Sequence, residues 1–376
     1  MLNKNLCKKI IFVLVFLMLV TTIFTVNKAF AATAKSYTIS STITANLEID
    51  GTLTISGTGD MPEYQSTGAP WYNDRASVKK VVVNSGITKI GRLAFNGCSA
   101  MTTVTLSNSV TDIGDGAFQN CSALKVFTAP SSLKLIGELA FTNCTSLTSI
   151  NLNEGLEEIE LRAFQGTSIT TLTIPSTVKK IRLQICENVN TLREYIVAPG
   201  NTEYYTHQGA LYWKPTEYNN HDLTAFPPAS TLTEYTIPDG IRQIDQGAFM
   251  NAKNLKKINI PTSIEGIGAY TFMNSGITSM FVPNISLRTI SPDIFKNCEN
   301  LETVVFNADT SSAMFGDKLP AGTFENCSKL KSVTFAGSIK EFYIGCFKNC
   351  PLLETVTLSE GTETIDYRAF DNCPKL

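Results

Sequence analysis

The sequence predicts a repeat solenoid of short parallel β-strands joined by turns or short helices, with an N-terminal β cap and an inserted β-hairpin. Three observations predict it: a 23-residue period, apolar residues at fixed offsets within each period, and one long departure from that period. The chain has 376 residues, 43% of them hydrophobic and 17% charged, and a formal net charge of −2. Because this balance lacks the basic excess that phosphate binding requires, nucleic acid is not expected as a partner.

Residues 1–31 are predicted to be an export signal. Three lysines precede the uncharged apolar run 10–26, and Ala29-Phe30-Ala31 places small residues where signal peptidase cleaves. The run has 17 residues, fewer than the roughly 20 that a membrane-spanning helix needs. We therefore expect cleavage after Ala31, with an uncleaved anchor as the alternative. The mature protein is expected to be secreted or on the cell surface, without insertion into a membrane.

Residues 32–83 are predicted to form the N-terminal β cap. Apolar residues alternate on both sides of Asp50-Gly51, which is a strong signal for a hairpin turn. Such a cap would shield the first layer of the solenoid core from water. The solenoid itself is predicted to cover residues 84–376.

The repeats are marked by phenylalanines spaced 23 residues apart. Within a unit, an alanine usually precedes the phenylalanine, a cysteine often follows three places later, and apolar residues follow at offsets six, nine and eleven. Two apolar residues separated by one predict a short strand with one inward face, and Ile-Gly-x-x-Ala-Phe predicts a turn or short helix. The marking residues are Phe95, Phe118, Phe141 and Phe164, then Phe249, Phe272 and Phe295, then Phe324, Phe347 and Phe370.

The unit Leu-x-x-Ile-x-Leu/Ile-Pro-x-x-Val-x-x-Ile-Gly-x-x-Ala-Phe-x-x-Cys resembles the BspA-like class of leucine-rich repeat over residues 87–376. The segments 50–59 and 69–72 also resemble the opening often placed before such repeats. The resemblance implies a bacterial surface or secreted protein, often an adhesin that binds host proteins or other cells non-covalently.

Residues 195–235 interrupt the period. They hold six of the twelve tyrosines, one of the two tryptophans and both histidines. Two apolar segments, 209–213 and 223–226, predict a β-hairpin that rides on the solenoid and can be removed without unfolding the neighbouring coils. Because tyrosine and tryptophan are enriched at binding hot spots, four side chains are candidate partner contacts; alternatively, they close the hairpin's own core. These are Tyr204, Tyr205, Tyr212 and Trp213.

A second candidate surface is the outward face of the predicted strands. Its side chains are mostly hydroxyl-bearing and almost uncharged, which suits an extended extracellular protein or glycan. The alternative is that threonine simply favours exposed strands and no ligand is involved. The candidate residues are Thr103, Thr105, Thr128, Ser149, Asn151, Thr171 and Thr173.

Catalytic chemistry has little support in the sequence, so we predict no enzyme activity and no cofactor. His207 and His221 are the only histidines, and neither lies in a recognisable catalytic motif. Cys346 and Cys350 are the closest cysteine pair, but both occupy packing positions of the repeat, so no metal site is predicted. The mature chain has nine cysteines, an odd number, and we expect most of them to be buried and reduced.

Together these features predict a secreted or surface-attached adhesion or recognition module. One alternative makes the chain the targeting region of a larger exported enzyme whose catalytic domain lies beyond Leu376. A second alternative is a structural component of an envelope or matrix.

Overall fold

The computed structural model describes residues 33–214, 222–283, 289–307, 318–336, 339–358 and 360–376. The predicted signal at 1–31 lies outside these residues. In them, regular structure is almost entirely β-strand, with one 3₁₀ helix at Tyr72–Ser77. The strands of the first half are β1 (Thr33–Thr38), β2 (Ile43–Glu48), β3 (Thr52–Gly57), β4 (Gly59–Asp60), β5 (Lys80–Val83), β6 (Ile87–Ile90), β7 (Thr103–Leu106), β8 (Asp112–Ile113), β9 (Val126–Thr128), β10 (Leu135–Ile136), β11 (Ser149–Asn151), β12 (Glu158–Ile159), β13 (Thr171–Ile174), β14 (Lys180–Ile181) and β15 (Glu194–Val197). Those of the second half are β16 (Tyr204–His207), β17 (Ala210–Trp213), β18 (Asp222–Ala225), β19 (Glu234–Thr236), β20 (Gln243–Ile244), β21 (Lys257–Asn259), β22 (Gly266–Ile267), β23 (Ser279–Val282), β24 (Thr289–Ile290), β25 (Thr303–Phe306), β26 (Lys318–Leu319), β27 (Ser332–Phe335), β28 (Glu341–Phe342), β29 (Thr355–Thr357) and β30 (Thr364–Ile365).

The N-terminal strands form an antiparallel meander that leads directly into the solenoid. β1 pairs with β2, and β2 pairs with β3 across the turn at Asp50-Gly51. Gly51 has a φ of +89°, and a Cβ there would lie 2.6 Å from the carbonyl oxygen of Ser77. β3 then pairs in parallel with β5, and β5 with β7. The parallel ladder therefore begins at Thr52, inside the segment 32–83.

Two ladders of parallel strands run along the molecule. The long-strand ladder consists of the paired groups β3-β5-β7, β9-β11, β13-β15, β19-β21 and β23-β25-β27-β29, and the short-strand ladder consists of the paired groups β4-β6-β8-β10-β12-β14, β18-β20-β22-β24 and β26-β28-β30. Each coil adds one strand to each ladder, so that Val81 pairs with Val104 and Ile113 with Ile136. About eleven turns at a 23-residue spacing confirm the predicted solenoid. The Ile-Gly-x-x-Ala-Phe segments form turns rather than helices.

Stacked phenylalanine rings fill the core of the coils. Phe95, Phe118 and Phe141 are fully buried, and successive ring centroids lie 5.4 and 5.2 Å apart. A second stack runs from Phe226 to Phe370 with centroid separations of 5.0–5.5 Å. Trp71 extends the first stack at its N-terminal end, 5.5 Å from Phe95. The ring of Trp71 therefore covers the first core layer, as a capping residue should.

An asparagine ladder follows the turns, two residues after each phenylalanine position. Except at Asn188, which follows Gly166, each side-chain Nδ2 donates to the Oδ1 of an asparagine in the preceding coil, at 2.8–3.3 Å; Asn120 bonds to Asn96, one position before Gly97. Gly97 and Gly166 hold the same position in two coils. The members of this ladder are Asn120, Asn143, Asn188, Asn251, Asn274, Asn297, Asn326, Asn349 and Asn372, all with φ between 57° and 64°.

The cysteines form a similar ladder inside the core. The thiol of Cys121 donates to the carbonyl oxygen of Phe95 at 3.2 Å, and that of Cys144 to Phe118 at 3.1 Å. The same contact recurs at Cys298, Cys327, Cys350 and Cys373. All nine cysteines of the described residues are free, and all except Cys373 are buried.

The insertion differs from the predicted two-stranded hairpin. β17 and β18 do pair antiparallel, but β16 adds a third strand, and β18 pairs in parallel with β20. The meander is therefore part of the short-strand ladder and does not ride on the solenoid. Tyr204 and Leu211 join the core of the preceding coils, whereas Ala210 and Tyr212 join the core of the following coils. The predicted turn around residues 219–221 lies outside the described residues.

Candidate binding surface

The predicted hydroxyl residues lie on consecutive strands of the long-strand ladder. We call the outward side chains of β7, β9, β11 and β13 the strand face. Thr103, Thr105, Thr128, Asn151 and Thr173 are exposed. Ser149 and Thr171 are half-buried.

Strand register and a side-chain hydrogen bond fix the relative positions of the side chains on the strand face. β9 and β11 align Thr128 with Asn151, and the Nδ2 of Asn151 donates to the Oγ1 of Thr128 at 3.2 Å. β13 is aligned in parallel with β15, where Glu194 and Ile196 follow Thr171 and Thr173. The structure thus brings the seven predicted residues together on one side of the molecule.

Exposed apolar residues belong to the same side of the ladder but were not among the predicted contacts. Val126 on β9 is 47% exposed, and Phe281 on β23 is 55% exposed. Both occupy the outward offsets of the repeat, so the spacing itself was the signal that could have identified them. Val126 adds apolar contact area to the strand face, whereas Phe281 lies on β23, outside the strand face.

The aromatic residues of the insertion form core rather than surface, which corrects part of the prediction. Tyr204 and Tyr212 are 1% and 0% exposed. The Tyr204 hydroxyl accepts a hydrogen bond from the Ile181 N–H at 2.7 Å, and burial raises the pKa of Tyr204 to about 12. The Tyr212 and Tyr235 hydroxyls are 2.5 Å apart. Because partners cannot reach buried rings, Tyr204 and Tyr212 are excluded as contacts.

Tyr205 and Trp213 are half-buried and support the same core. The Tyr205 ring stacks on Tyr212 with centroids 5.0 Å apart, and Trp213 stacks on Tyr204 at 6.1 Å. These contacts match the alternative interpretation of the sequence, in which the aromatic residues close a small core.

Charged side chains concentrate on the short-strand ladder. Glu157 lies between Lys134 at 3.3 Å and Lys179 at 2.9 Å, and these lysines hold the pKa of its carboxyl below the usual range. Lys180 contacts both Glu158 and Glu160. Exposed pairs of this kind contribute little to stability individually. Their location leaves the strand face almost free of charge.

Groups with catalytic or metal-binding chemistry are engaged in packing. The ring of His207 contacts the edges of Tyr212 and Tyr235, and His221 lies outside the described residues. Cys346 and Cys350 are buried, and burial raises the pKa of Cys346 to about 12. Among the residues that the structure describes, no three His, Cys, Asp or Glu side chains are grouped to hold a metal ion. The same residues contain no helix with the length and apolar character to cross a bilayer.

Two parallel ladders, a 23-residue period and stacked phenylalanines define a leucine-rich-repeat solenoid. Residues 67–193, 222–318 and 316–376 match the BspA type leucine-rich repeat region, in six copies. The chain belongs to this family. Its repeats are similar to those of bacterial surface proteins and indicate a protein-binding repeat module.

Solved structures agree with this family. A leucine-rich repeat protein from Eubacterium ventriosum is 30% identical, with a TM-score of 0.77 over 90% of this chain and 94% of that one. A leucine-rich cell surface protein from Faecalibacterium prausnitzii is 22% identical, with a TM-score of 0.60 over 81% and 95%. The pneumococcal vaccine antigen PcpA is 17% identical, with a TM-score of 0.65 over 89% and 98%. The last two similarities support the fold alone. No curated protein matches the chain significantly.

Proposed function

We propose that the protein is a secreted or cell-surface adhesion module that binds an extracellular protein or glycan through the strand face. The observation that carries this proposal is the set of uncharged hydroxyl and amide side chains from Thr103 to Thr173 on β7, β9, β11 and β13, of which five are exposed and two half-buried. The family, whose members resemble bacterial surface proteins, supports the extracytoplasmic location.

The physical properties of the strand face suit an extended partner. Parallel backbone pairing holds its side chains, so little conformational entropy is lost when a partner binds. Hydroxyl and amide groups both donate and accept hydrogen bonds, which allows pairing with a polypeptide or with sugar hydroxyls. Covering uncharged groups also avoids the large cost of burying unpaired ions.

The experiment uses the protein without residues 1–31, screened against extracellular-matrix proteins and a glycan array. The test variant changes Thr103, Thr105, Thr171 and Thr173 to Lys. A matched control places four lysines on the same ladder in distant coils, at Thr303, Thr334, Thr355 and Thr357. Both variants gain the same charge, so only position differs.

We expect the partner to bind wild-type protein and the control, and to lose binding to the test variant, because four buried charges oppose docking. Equal binding to both variants would exclude the strand face. Hydrolysis of a substrate without any stable binding would favour the enzyme interpretation instead.

A further inference from the structure

A groove lies beside the asparagine ladder in the last coils, on an edge of the solenoid distinct from the strand face. Its volume is about 360 Å³, within the range of about 300–1,000 Å³ of small-ligand sites. The lining residues are Glu299, Asn326, Ser328, Asn349, Pro351 and Asn372. We call this feature the asparagine groove.

The amides of the groove keep hydrogen-bonding capacity that the fold does not use. Asn349 donates to Asn326 at 2.8 Å and accepts from Asn372 at 2.8 Å. A side-chain amide has two N–H donors and an oxygen with two lone pairs. The ladder therefore occupies one donor and one acceptor site of Asn349, and a second donor and a second acceptor site are left for a ligand.

The bonds between coils, rather than the backbone conformation, account for asparagine at these positions. Their left-handed conformation is accepted equally by glycine, which occupies the same position at Gly97 and Gly166. From Asn188 to Asn372, however, every described coil carries an asparagine there. The unbroken run supplies one amide per coil along the side of the molecule that contains the groove.

We propose that the asparagine groove binds a neutral, extended oligosaccharide whose successive sugar units lie on successive coils. Amide and hydroxyl groups complement sugar hydroxyls, the Glu299 carboxylate accepts from them, and Pro351 offers C–H surface to a sugar ring. Adjacent coils are spaced by about 4.8 Å, close to the rise per sugar of an extended β-1,4-linked chain. The proposal is independent of the proposed role of the strand face.

The test measures binding of cellotetraose and chitotetraose, both neutral and β-1,4-linked, by calorimetric or NMR titration. Maltotetraose, with α-1,4 links, is the geometric control. The groove variant changes Asn349 and Asn372 to Gly, and the matched variant changes Asn120 and Asn143 to Gly. Because glycine occurs naturally at this position, both variants should fold, which melting curves verify.

At least one β-1,4-linked tetrasaccharide should bind, and maltotetraose should not. Two lost neutral hydrogen bonds should weaken binding to the groove variant about tenfold, with the matched variant unchanged. The four-lysine variant of the strand face should bind the saccharide as wild type does. The proposal is overturned if neither β-linked probe binds, if the groove variant retains full affinity, or if only a Ser- and Asn-rich peptide binds.

Discussion

At the scale of single residues, each phenylalanine-bearing turn has left-handed backbone at two positions, two residues before and two residues after the phenylalanine position. Asn143 has a φ of 59°, and its side chain also bonds to Asn120 at 3.1 Å. Asparagine thus meets two requirements at once, because it tolerates this conformation and links neighbouring coils. Glycine at 166 meets only the first requirement.

Two substitutions at Asn143 separate the contribution of the left-handed backbone from that of the side-chain hydrogen bond. Asn143→Gly should cost about 0.5–1.5 kcal/mol, the value of the lost hydrogen bond. Asn143→Ala should cost about 1–2 kcal/mol more, because its Cβ is strained in the left-handed region. Chemical denaturation should therefore rank the free energy of unfolding as wild type, then glycine, then alanine. Equal losses in the two variants would contradict the backbone requirement.

Two carboxyl groups in and near the insertion, those of Asp222 and Asp245, have raised pKa values. Burial and, to a smaller extent, the charge of Asp222 raise the pKa of Asp245 to about 7, and the Thr224 side chain opposes the shift. Burial also raises the pKa of Asp222 to about 6, opposed by Arg242. Both groups therefore bind protons more tightly in the folded protein than in the unfolded chain, where aspartate has a pKa of about 3.9.

The resulting prediction is that stability falls as the pH rises. The stabilisation from these protons is complete below about pH 4 and is lost as the pH passes through the folded pKa values of about 6 and 7. Melting temperature measured from pH 4.5 to 8 should decline across this interval. Asp245→Asn cannot ionise, so its profile should be flatter. A rising profile, or one unchanged by the substitution, would show that the carboxyls ionise freely.

At the scale of elements, the meander β16–β18 is a shared layer between two cores. Tyr204 and Leu211 are buried with the coils before it, and Ala210 and Tyr212 with the coils after it. The turn of β16 and β17 also reaches the long-strand ladder, where Gly209 accepts a hydrogen bond from the Tyr195 N–H at 2.9 Å. Both faces of this element are therefore structural.

Replacing residues 198–233 by a short loop should destabilise the coils on both sides. Each large buried side chain that is lost lowers the free energy of unfolding by about 2–5 kcal/mol. A short loop has no side chains to cover the core faces that the deletion exposes. Hydrogen exchange at β13 and at β21 should accelerate together. Tyr212→Phe is the mild control, because it removes only the contact with Tyr235 and should cost about 1 kcal/mol. Full protection of both strands in the loop variant would support a removable hairpin instead.

At the scale of the whole molecule, the stacked coils bury their thiols to different extents. Eight cysteines are buried, whereas Cys373 in the last coil is partly exposed. Its contact with Cys350 lowers the pKa of the Cys373 thiol to about 7, and the same contact raises the pKa of Cys350. Since the thiolate is the reactive form, the two cysteines should differ strongly in reactivity.

Alkylation at pH 7.5 should therefore label Cys373 first in the folded protein. Mass measurement should show one fast thiol under native conditions and nine after denaturation without reductant. Cys373→Ser should remove the fast phase and leave the other eight. Several thiols that stay unlabelled after denaturation would reveal disulfides and reject the thiol ladder.

The sequence by itself determined the repeat architecture, the inward phenylalanines and cysteines, and the outward hydroxyl residues such as Thr103 and Thr105. It could do so because a fixed period places equivalent residues at one level of a stack. The tertiary structure alone decided the role of the insertion. β17 buries both of its faces, and an apolar run does not reveal which core each side chain enters. The bonds between asparagine amides likewise join residues 23 or more positions apart, so they exist only once the coils are stacked.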